Sequence, residues 1–301
     1  MIDKLELLLA LARERHFGRA AESAGVTQPT LSTAVKSLEE QFGLLIVERG
    51  SRFGGFTPEG ERILVWARRI VGDAHAMRAD INTLKHGLSG HLRLGVIPTA
   101  LPAVTGLTLP LRQRSEAVSF TVLSLSSNDI LSRLENLDLD IGVSYIGAEP
   151  LGGFDAVPLY EERYALLVAP GSPLAKRGSA TWAEAGRLPL CQLTADMQNR
   201  RLLNQHLKDA GASPRITLES NSLMLLYAHV RTGDWASIIP VRFAEALGAP
   251  HGLRAVTLVD PAVTHGVGLV VHRRKTHSPL VAAFIGAARR IIRAEGGAAG
   301  A

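Results

Sequence analysis

The sequence predicts a mixed α/β chain in three parts: a small helical unit ending in a β-wing, one long helix, and a two-lobed α/β region. Three observations predict it. Residues 17–42 pattern as two short helices around a tight turn. Residues 59–88 carry an apolar residue every three or four positions, and residues 91–272 alternate short extended runs with helical ones.

The first short helix, Gly18 to Ala24, presents Ala20, Ala21 and Ala24, small enough for a neighbouring helix to come close, and Gly25 ends it as a left-handed cap. Thr27 caps the next helix through its hydroxyl, and Pro29 sits in the first turn, where a missing N–H costs nothing. From Gln28 onward Leu31, Val35, Leu38 and Phe42 recur at three- and four-residue steps and form a core-facing stripe, with Pro29, Ser32, Thr33 and Lys36 on the opposite side. A chain builds a helix-turn-helix reader of DNA in this way. Hydroxyls and an ammonium suit phosphates and base edges, and Gln28 has both amide groups to offer an adenine edge. A solvated polar face on an ordinary amphipathic helix fits the same pattern, so the neighbouring segments decide. After Gly43, two extended runs surround the tip Gly50-Ser51-Arg52 and read as a small β-wing, with Arg49 and Arg52 placed to touch backbone phosphates.

The run AAESAGVTQPTLSTAVKSLEEQFG, followed by ERGSR and FTPEG, resembles the N-terminal winged helix-turn-helix of the LysR-type transcriptional regulators. Leu45-Ile46-Val47 stands where that family usually has Pro-Leu-Phe, and His16 where a small residue is common; both read as packing variations. The resemblance implies a DNA-binding domain over residues 1–58, with double-stranded operator DNA contacted by Thr27, Gln28, Pro29, Thr30, Ser32, Thr33, Lys36, Arg49 and Arg52. Charge does not carry this reading. The chain is formally +5, yet Lys4, Arg13, Arg15, Arg19, Lys36, Arg49 and Arg52 are matched in the first 58 residues by Asp3, Glu6, Glu14, Glu22, Glu39, Glu40 and Glu48. Geometry must place the few cations that supply the salt-dependent attraction.

Residues 59–88 place Ile63, Ala67, Ile70, Ala74, Met77, Ile81, Leu84 and Leu88 at alternating steps of four and three. A lone helix could not bury such a seam, so a partner helix is predicted; packing on the chain's own core is the alternative. In the resembled family this segment is the linker helix of a homodimer, and dimers commonly pair into homotetramers.

His86 to Gly90 breaks the helix. Strands are then expected at His91 to Ile97, Val118 to Leu125 and Asp140 to Tyr145, with helices at Thr99 to Arg114 and Asn128 to Leu137 between them. A second series follows: strands at Arg163 to Ala169, Pro189 to Leu193, Arg215 to Glu219 and Ala236 to Pro240, and helices at Gln198 to Ala210 and Ser222 to Arg231. Gly266 to His272 and a final helix, Pro279 to Arg293, should return to the first lobe. Two α/β lobes with two crossing strands resemble the periplasmic-binding-protein fold, which is also the effector domain of the LysR-type regulators. The resemblance then covers essentially the whole chain, with an effector-binding domain at 89–301, lobe I at 91–161 and 267–301, and lobe II at 162–266.

A ligand between such lobes lies where strands end and helices begin, because free N–H groups gather there. Pro98-Thr99, Ser126-Ser127-Asn128, Asp196-Met197-Gln198-Asn199 and Ser220-Asn221-Ser222 are four such junctions, and together they suit a small anion; ordinary helix capping explains each alone. The family's effector contacts fall at matching positions and favour Thr99, Ser126, Asn128, Gln198 and Asn199; Ala100, Met197 and Asn221 complete the expected set, with Arg200 and Arg201 as candidate counter-charges. The chain looks most like regulators found beside NAD-linked formate dehydrogenase operons, which implies formate or another small carboxylate as effector.

Other residues carry no functional reading. Cys191 is the only cysteine and sits in the apolar run Leu188-Pro189-Leu190-Cys191, so it reads as a buried small hydrophobe, and an intramolecular disulfide switch is excluded. The ten histidines, His265, His272 and His277 among them, show no metal-ligand spacing, and Arg273-Arg274-Lys275 reads as a solvated run. No apolar run reaches membrane-spanning length and Met1-Ile2-Asp3-Lys4 lacks a signal-peptide pattern, so a cytoplasmic, nucleoid-associated bacterial protein is expected. The reading that follows is a LysR-type regulator, not an enzyme, without cofactor or metal. Its partners are operator DNA, itself, a small effector and, by family analogy, RNA polymerase. The rival is a small-molecule-binding module or an enzyme on the same lobes without sequence-specific DNA function, against which stand the N-terminal third and the lack of a nucleophile, base and orienter in recognisable arrangement.

Overall fold

The computed structural model describes residues 1–48, 53–147, 149–248 and 252–298, with side chains of the last helix described to 292. Two compact units emerge. The first holds Met1–Ser89 with the short segments Glu135–Asp138 and Arg274–Pro279; the second holds Gly90–Leu134, Leu139–Arg273 and Leu280–Ala301.

Four helices build the first unit: α1 (Ile2–Glu14), α2 (Phe17–Ser23), α3 (Gln28–Phe42) and α4 (Pro58–His86). α1 was not expected from the sequence. It contributes Leu5, Leu8 and Leu11 to the core that Ala20, Ala21, Leu31, Val35 and Leu38 also fill. Gly25, at φ +67°, turns the chain between α2 and α3 as predicted. Phe42 departs from its predicted place: it is 39% exposed, because α3 ends there and its last turn outruns the core. The wing survives as an antiparallel bridge between Val47 and Phe56. Glu39 of α3 holds it, its Oε1 accepting from the backbone N–H of Ile46 at 2.8 Å and Val47 at 3.1 Å. The tip, including Arg49 and Arg52, lies outside the described residues.

α4 opens under a Thr57 cap, whose hydroxyl accepts from the Gly60 N–H at 2.9 Å and donates to the Leu45 carbonyl at 2.6 Å. A Cβ on Gly60 would sit 2.1 Å from the Ile46 carbonyl oxygen, so only glycine lets the helix approach the wing. The expected seam divides here. Leu64, Ala67, Val71 and Ala74 are buried, and α4 packs against α1. Trp66, Ile70, Met77, Ile81 and Leu84 remain exposed. Ala67 and Ala74 therefore serve the chain's own core, and Trp66 takes a place on the exposed stripe that the sequence reading had given to neither face.

The second unit begins with β1 (Gly90–Val96), a 3-10 turn (Pro98–Ala100), α5 (Leu101–Arg114), β2 (Val118–Ser124), α6 (Ser127–Glu135), β3 (Ile141–Tyr145) and β4 (Phe154–Glu162). Then come β5 (Tyr164–Val168), β6 (Ser179–Thr181), α7 (Trp182–Ala185), β7 (Leu190–Leu193), α8 (Gln198–Asp209), β8 (Ile216–Ser220) and α9 (Leu223–Val230). The chain closes with β9 (Ser237–Pro240), α10 (Val241–Leu247), β10 (Arg254–Val259), β11 (His265–His272) and α11 (Pro279–Ala298). β4, β6, α7, α10 and β10 are additions to the sequence expectation. β4 contains Pro158, which donates no ladder N–H; the strand lies at the sheet edge, where a missing N–H is tolerated.

One sheet has the order β2-β1-β3-β11-β4, with β1 parallel to β2 and β3, and β11 antiparallel to β3 and β4. This is the first lobe. The second lobe carries β6-β10-β5-β9 and the parallel pair β7-β8. Two crossings join them: β4 ends at Glu162 just before β5 starts at Tyr164, and the chain returns from β10 into β11 at His265. Because Glu162 pairs in register with His265, both crossings run side by side.

Candidate functional site

The N-terminal end of α3 is built to be open. Thr27 Oγ1 accepts from the Thr30 N–H at 3.4 Å and shares a hydrogen bond with Thr30 Oγ1 at 2.9 Å, while Pro29 occupies the first turn. Leu31, Ala34, Val35 and Leu38 face inward, and Thr27, Gln28, Pro29, Thr30, Ser32, Thr33 and Lys36 are all exposed. A polar strip at an exposed, Thr27-capped helix N-terminus therefore faces out. Lys36 also meets Glu40 one turn on at 3.8 Å, a solvent-exposed pair that a phosphate can displace at little cost.

The second candidate region lies where the two lobes cross. Tyr145, the last residue of β3, is 2% exposed, and its hydroxyl is the meeting point. It donates to Oε1 of Glu162, accepts from Asn199 Nδ2 at 2.9 Å, and lies 3.4 Å from Thr99 Oγ1. Thr99 belongs to the first lobe and Asn199 to α8 of the second, so one hydroxyl ties both lobes to the crossing strand. Tyr164 continues the array, its hydroxyl 3.1 Å from His265 Nδ1, and His265 Nε2 lies 3.4 Å from His206 Nε2.

Electrostatics here are acidic. Burial pushes the Glu162 carboxyl up to about 7, with the Tyr145, Tyr164 and Thr99 hydroxyls pulling the other way. Its second oxygen, Oε2, is buried and has no hydrogen-bond partner among the described residues, and neither do the two polar atoms of buried Gln192 on β7. Desolvation and the Glu162 charge hold Tyr145 well above the usual phenol range. Desolvation lowers His206 and His265, the latter also through His206, which favours the neutral form of both rings.

The expected effector contacts divide on inspection. Thr99, Ala100, Ser126, Gln198 and Asn199 are buried, and Thr99 and Asn199 meet at Tyr145. Ser126 caps α6, donating to Asp129 Oδ2 at 2.7 Å and accepting from the Asp129 N–H. Met197 packs in the apolar cluster of Leu167, Cys191, Leu193 and Phe243, whereas Asn128 and Asn221 are exposed. Arg200 and Arg201 are occupied elsewhere. Arg200, 6% exposed, donates to the Leu193 carbonyl at 2.6 Å and pairs with Glu219 at 2.8 Å, and Arg201 pairs with Glu149 at 2.9 Å. Sequence reasoning missed Tyr145 and Glu162. The available signal was strand ends, since side chains at the carboxyl end of a parallel strand face the same crevice as the helix starts. Among the described residues no three His, Cys, Asp or Glu side chains gather to hold a metal, and no helix is long and apolar enough to cross a membrane.

Comparison with known proteins covers both parts of the chain. Residues 2–61 match the family of bacterial regulatory helix-turn-helix proteins of the lysR type, and residues 85–292 match the LysR substrate binding domain. The chain is 37% identical over 171 residues to a probable hydrogen peroxide-inducible genes activator of Mycobacterium xenopi, covering 56% of this chain and 90% of that protein. It is 28% identical over 270 residues to the DNA-binding transcriptional dual regulator OxyR of Escherichia coli K12, covering 89% and 88%. The fold matches a full-length cysteine-to-aspartate variant of OxyR from Pseudomonas aeruginosa with a TM-score of 0.74, at 23% identity over 97% of this chain and 96% of that one.

Proposed function

This chain belongs to the LysR family of bacterial regulatory helix-turn-helix proteins, and from that premise we propose which of its residues read DNA, pair the subunits and receive the effector. It is a DNA-binding transcriptional regulator with a small-molecule effector domain. In our reading Gln28, Pro29, Ser32, Thr33 and Lys36 enter the major groove from the open end of α3, with Thr27 and Thr30 at the backbone and Arg49 and Arg52 of the wing on phosphate. The observation that carries this is the exposure of Thr27, Gln28, Pro29, Thr30, Ser32, Thr33 and Lys36 against the buried Leu31, Ala34, Val35 and Leu38. Trp66, Ile70, Met77, Ile81 and Leu84 form the surface that a second copy's α4 covers, which presents two readers to two half-sites. Pairs of such dimers form the tetramer, and the protein works on the bacterial nucleoid in contact with RNA polymerase.

The effector lies between the lobes, in contact with Thr99, Gln198 and Asn199; the supporting observation is the junction of Thr99 and Asn199 on Tyr145. A ligand there changes lobe geometry only by the difference in its affinity for two arrangements. Formate or another short carboxylate is the first ligand to test. Glu162 sets its condition, because two carboxyl groups in one buried site share a proton, so such a ligand binds better at acid pH. A peroxide-reactive thiol is not part of this reading. Cys191 is fully buried in β7, its thiol is pushed up to about 11 by burial, and the sequence holds no second cysteine.

The test is a mobility shift on the DNA upstream of the protein's own gene, with random DNA as competitor and with and without formate. A salt-sensitive specific shift that Gln28→Ala weakens by about 1–3 kcal/mol is expected. Unchanged affinity and selectivity in Gln28→Ala would remove that residue from the reader.

A further inference from the structure

The Tyr145 hydroxyl has one hydrogen and two acceptor sites, and three neighbours compete for them. Asn199 Nδ2 can only donate to it, at 2.9 Å. Glu162 Oε1 and Thr99 Oγ1 can each stand on either side of the bond. When Glu162 is ionised it accepts the Tyr145 hydrogen, and Thr99 then donates its own hydrogen to Tyr145, leaving Thr99 only lone pairs to offer elsewhere. When Glu162 carries a proton on Oε1, it donates to Tyr145, the Tyr145 hydrogen turns to Thr99 Oγ1, and the Thr99 hydrogen is released. A proton on Oε1 is favoured over one on Oε2, because Oε2 has no partner among the described residues and a buried orphan donor is costlier than a buried orphan carbonyl.

We propose that Glu162 is a positioning residue for effector recognition: its proton, acting through Tyr145, sets whether Thr99 offers the cleft a hydrogen-bond donor or an acceptor. The protonated form suits a ligand that presents an acceptor, such as a carboxylate or carbonyl oxygen, and the ionised form one that presents N–H or O–H. The polar and titratable groups gathered around the carboxyl come from several elements. Tyr145 comes from β3, Thr99 from the 3-10 turn, Tyr164 from β5, Asn199 and His206 from α8, and His265 from β11. The further charges are Glu161, which acts on His265, and Asp209, which acts on His206. With desolvation already moving the carboxyl to about 7, both forms are populated near neutrality.

The inference rests on Thr99 as an effector contact. That reading stands or falls by the effector response in the mobility shift, whereas the inference is tested on the full-length protein without any ligand. The experiment is a difference infrared titration of the carboxylic C=O band. The expected result is a carboxyl with a midpoint near 7 that is absent from Glu162→Gln. In Tyr145→Phe the midpoint should rise by about one pH unit, since the ionised form loses its donor. In Thr99→Val it should also rise, because the Thr99 hydroxyl pulls the carboxyl down, and that rise should be absent in a Tyr145→Phe background, where no hydroxyl relays it, a dependence that a purely structural carboxyl would not show. A midpoint in the ordinary carboxylate range, or one that Thr99→Val leaves in place, overturns the proposal. The Tyr145→Phe and Thr99→Val titrations decide it even if Glu162→Gln does not fold.

Discussion

Replacing Glu162 by glutamine should remove a pH-dependent loss of stability from the α/β unit. Glu162 rises from an ordinary 4.5 to about 7 because burial strips water from its carboxylate. The folded form therefore holds its proton over a range in which the unfolded form has released it. A carboxyl shifted in this direction contributes stability that is fully present below the unfolded value and is lost as pH rises toward the folded one. At about 1.4 kcal/mol for each pH unit, the whole span corresponds to about 3 kcal/mol, of which about 2 kcal/mol should disappear between roughly pH 5.5 and pH 8. His206 and His265 act with the opposite sign. Their rings are held below 6.5 in the fold, so they add stability as pH rises through that value. The quantity to compare is thus the difference between wild type and Glu162→Gln, measured by urea unfolding of the full-length protein at the two pH values. Glutamine should cut the loss by about 2 kcal/mol. Equal losses in the two proteins would refute the burial argument.

Three further outcomes follow from packing and charge. Gly60→Ala, whose Cβ would lie 2.1 Å from the Ile46 carbonyl oxygen, should cost about 2 kcal/mol or more in thermal unfolding of the N-terminal unit and weaken operator binding with it. Arg200→Met strands the buried Leu193 carbonyl, and a loss of about 2–4 kcal/mol in urea unfolding is expected; a neutral effect would free Arg200 for a ligand role. Met77→Glu with Ile81→Glu places charges on two exposed positions of α4, and sedimentation should show a monomer at concentrations where the wild type is a dimer. A dimer that survives both charges would move the interface elsewhere.

Features decided within a few turns of chain were legible in advance. Thr27, Pro29 and Gly43 bound α3 by capping chemistry, and Leu31, Val35 and Leu38 face the core by simple periodicity. Apart from α1, β4, β6, α7, α10 and β10, the strands and helices, and the helix start at Gln198, could be read in the same way. Only the tertiary structure decided which segment takes each apolar face. α1 takes up Ala67 and Val71, so the seam of α4 is shared between the chain's own core and the exposed stripe, and Phe42 has no core left to enter. β4 exists despite Pro158 because its place is a sheet edge, which no local pattern announces. The Tyr145 junction draws Thr99, Glu162 and Asn199 from three distant segments, Asn199 lying 54 residues beyond Tyr145. Capping and periodicity act over one or two turns, whereas burial and the ionisation it shifts depend on neighbours that only the folded chain brings together.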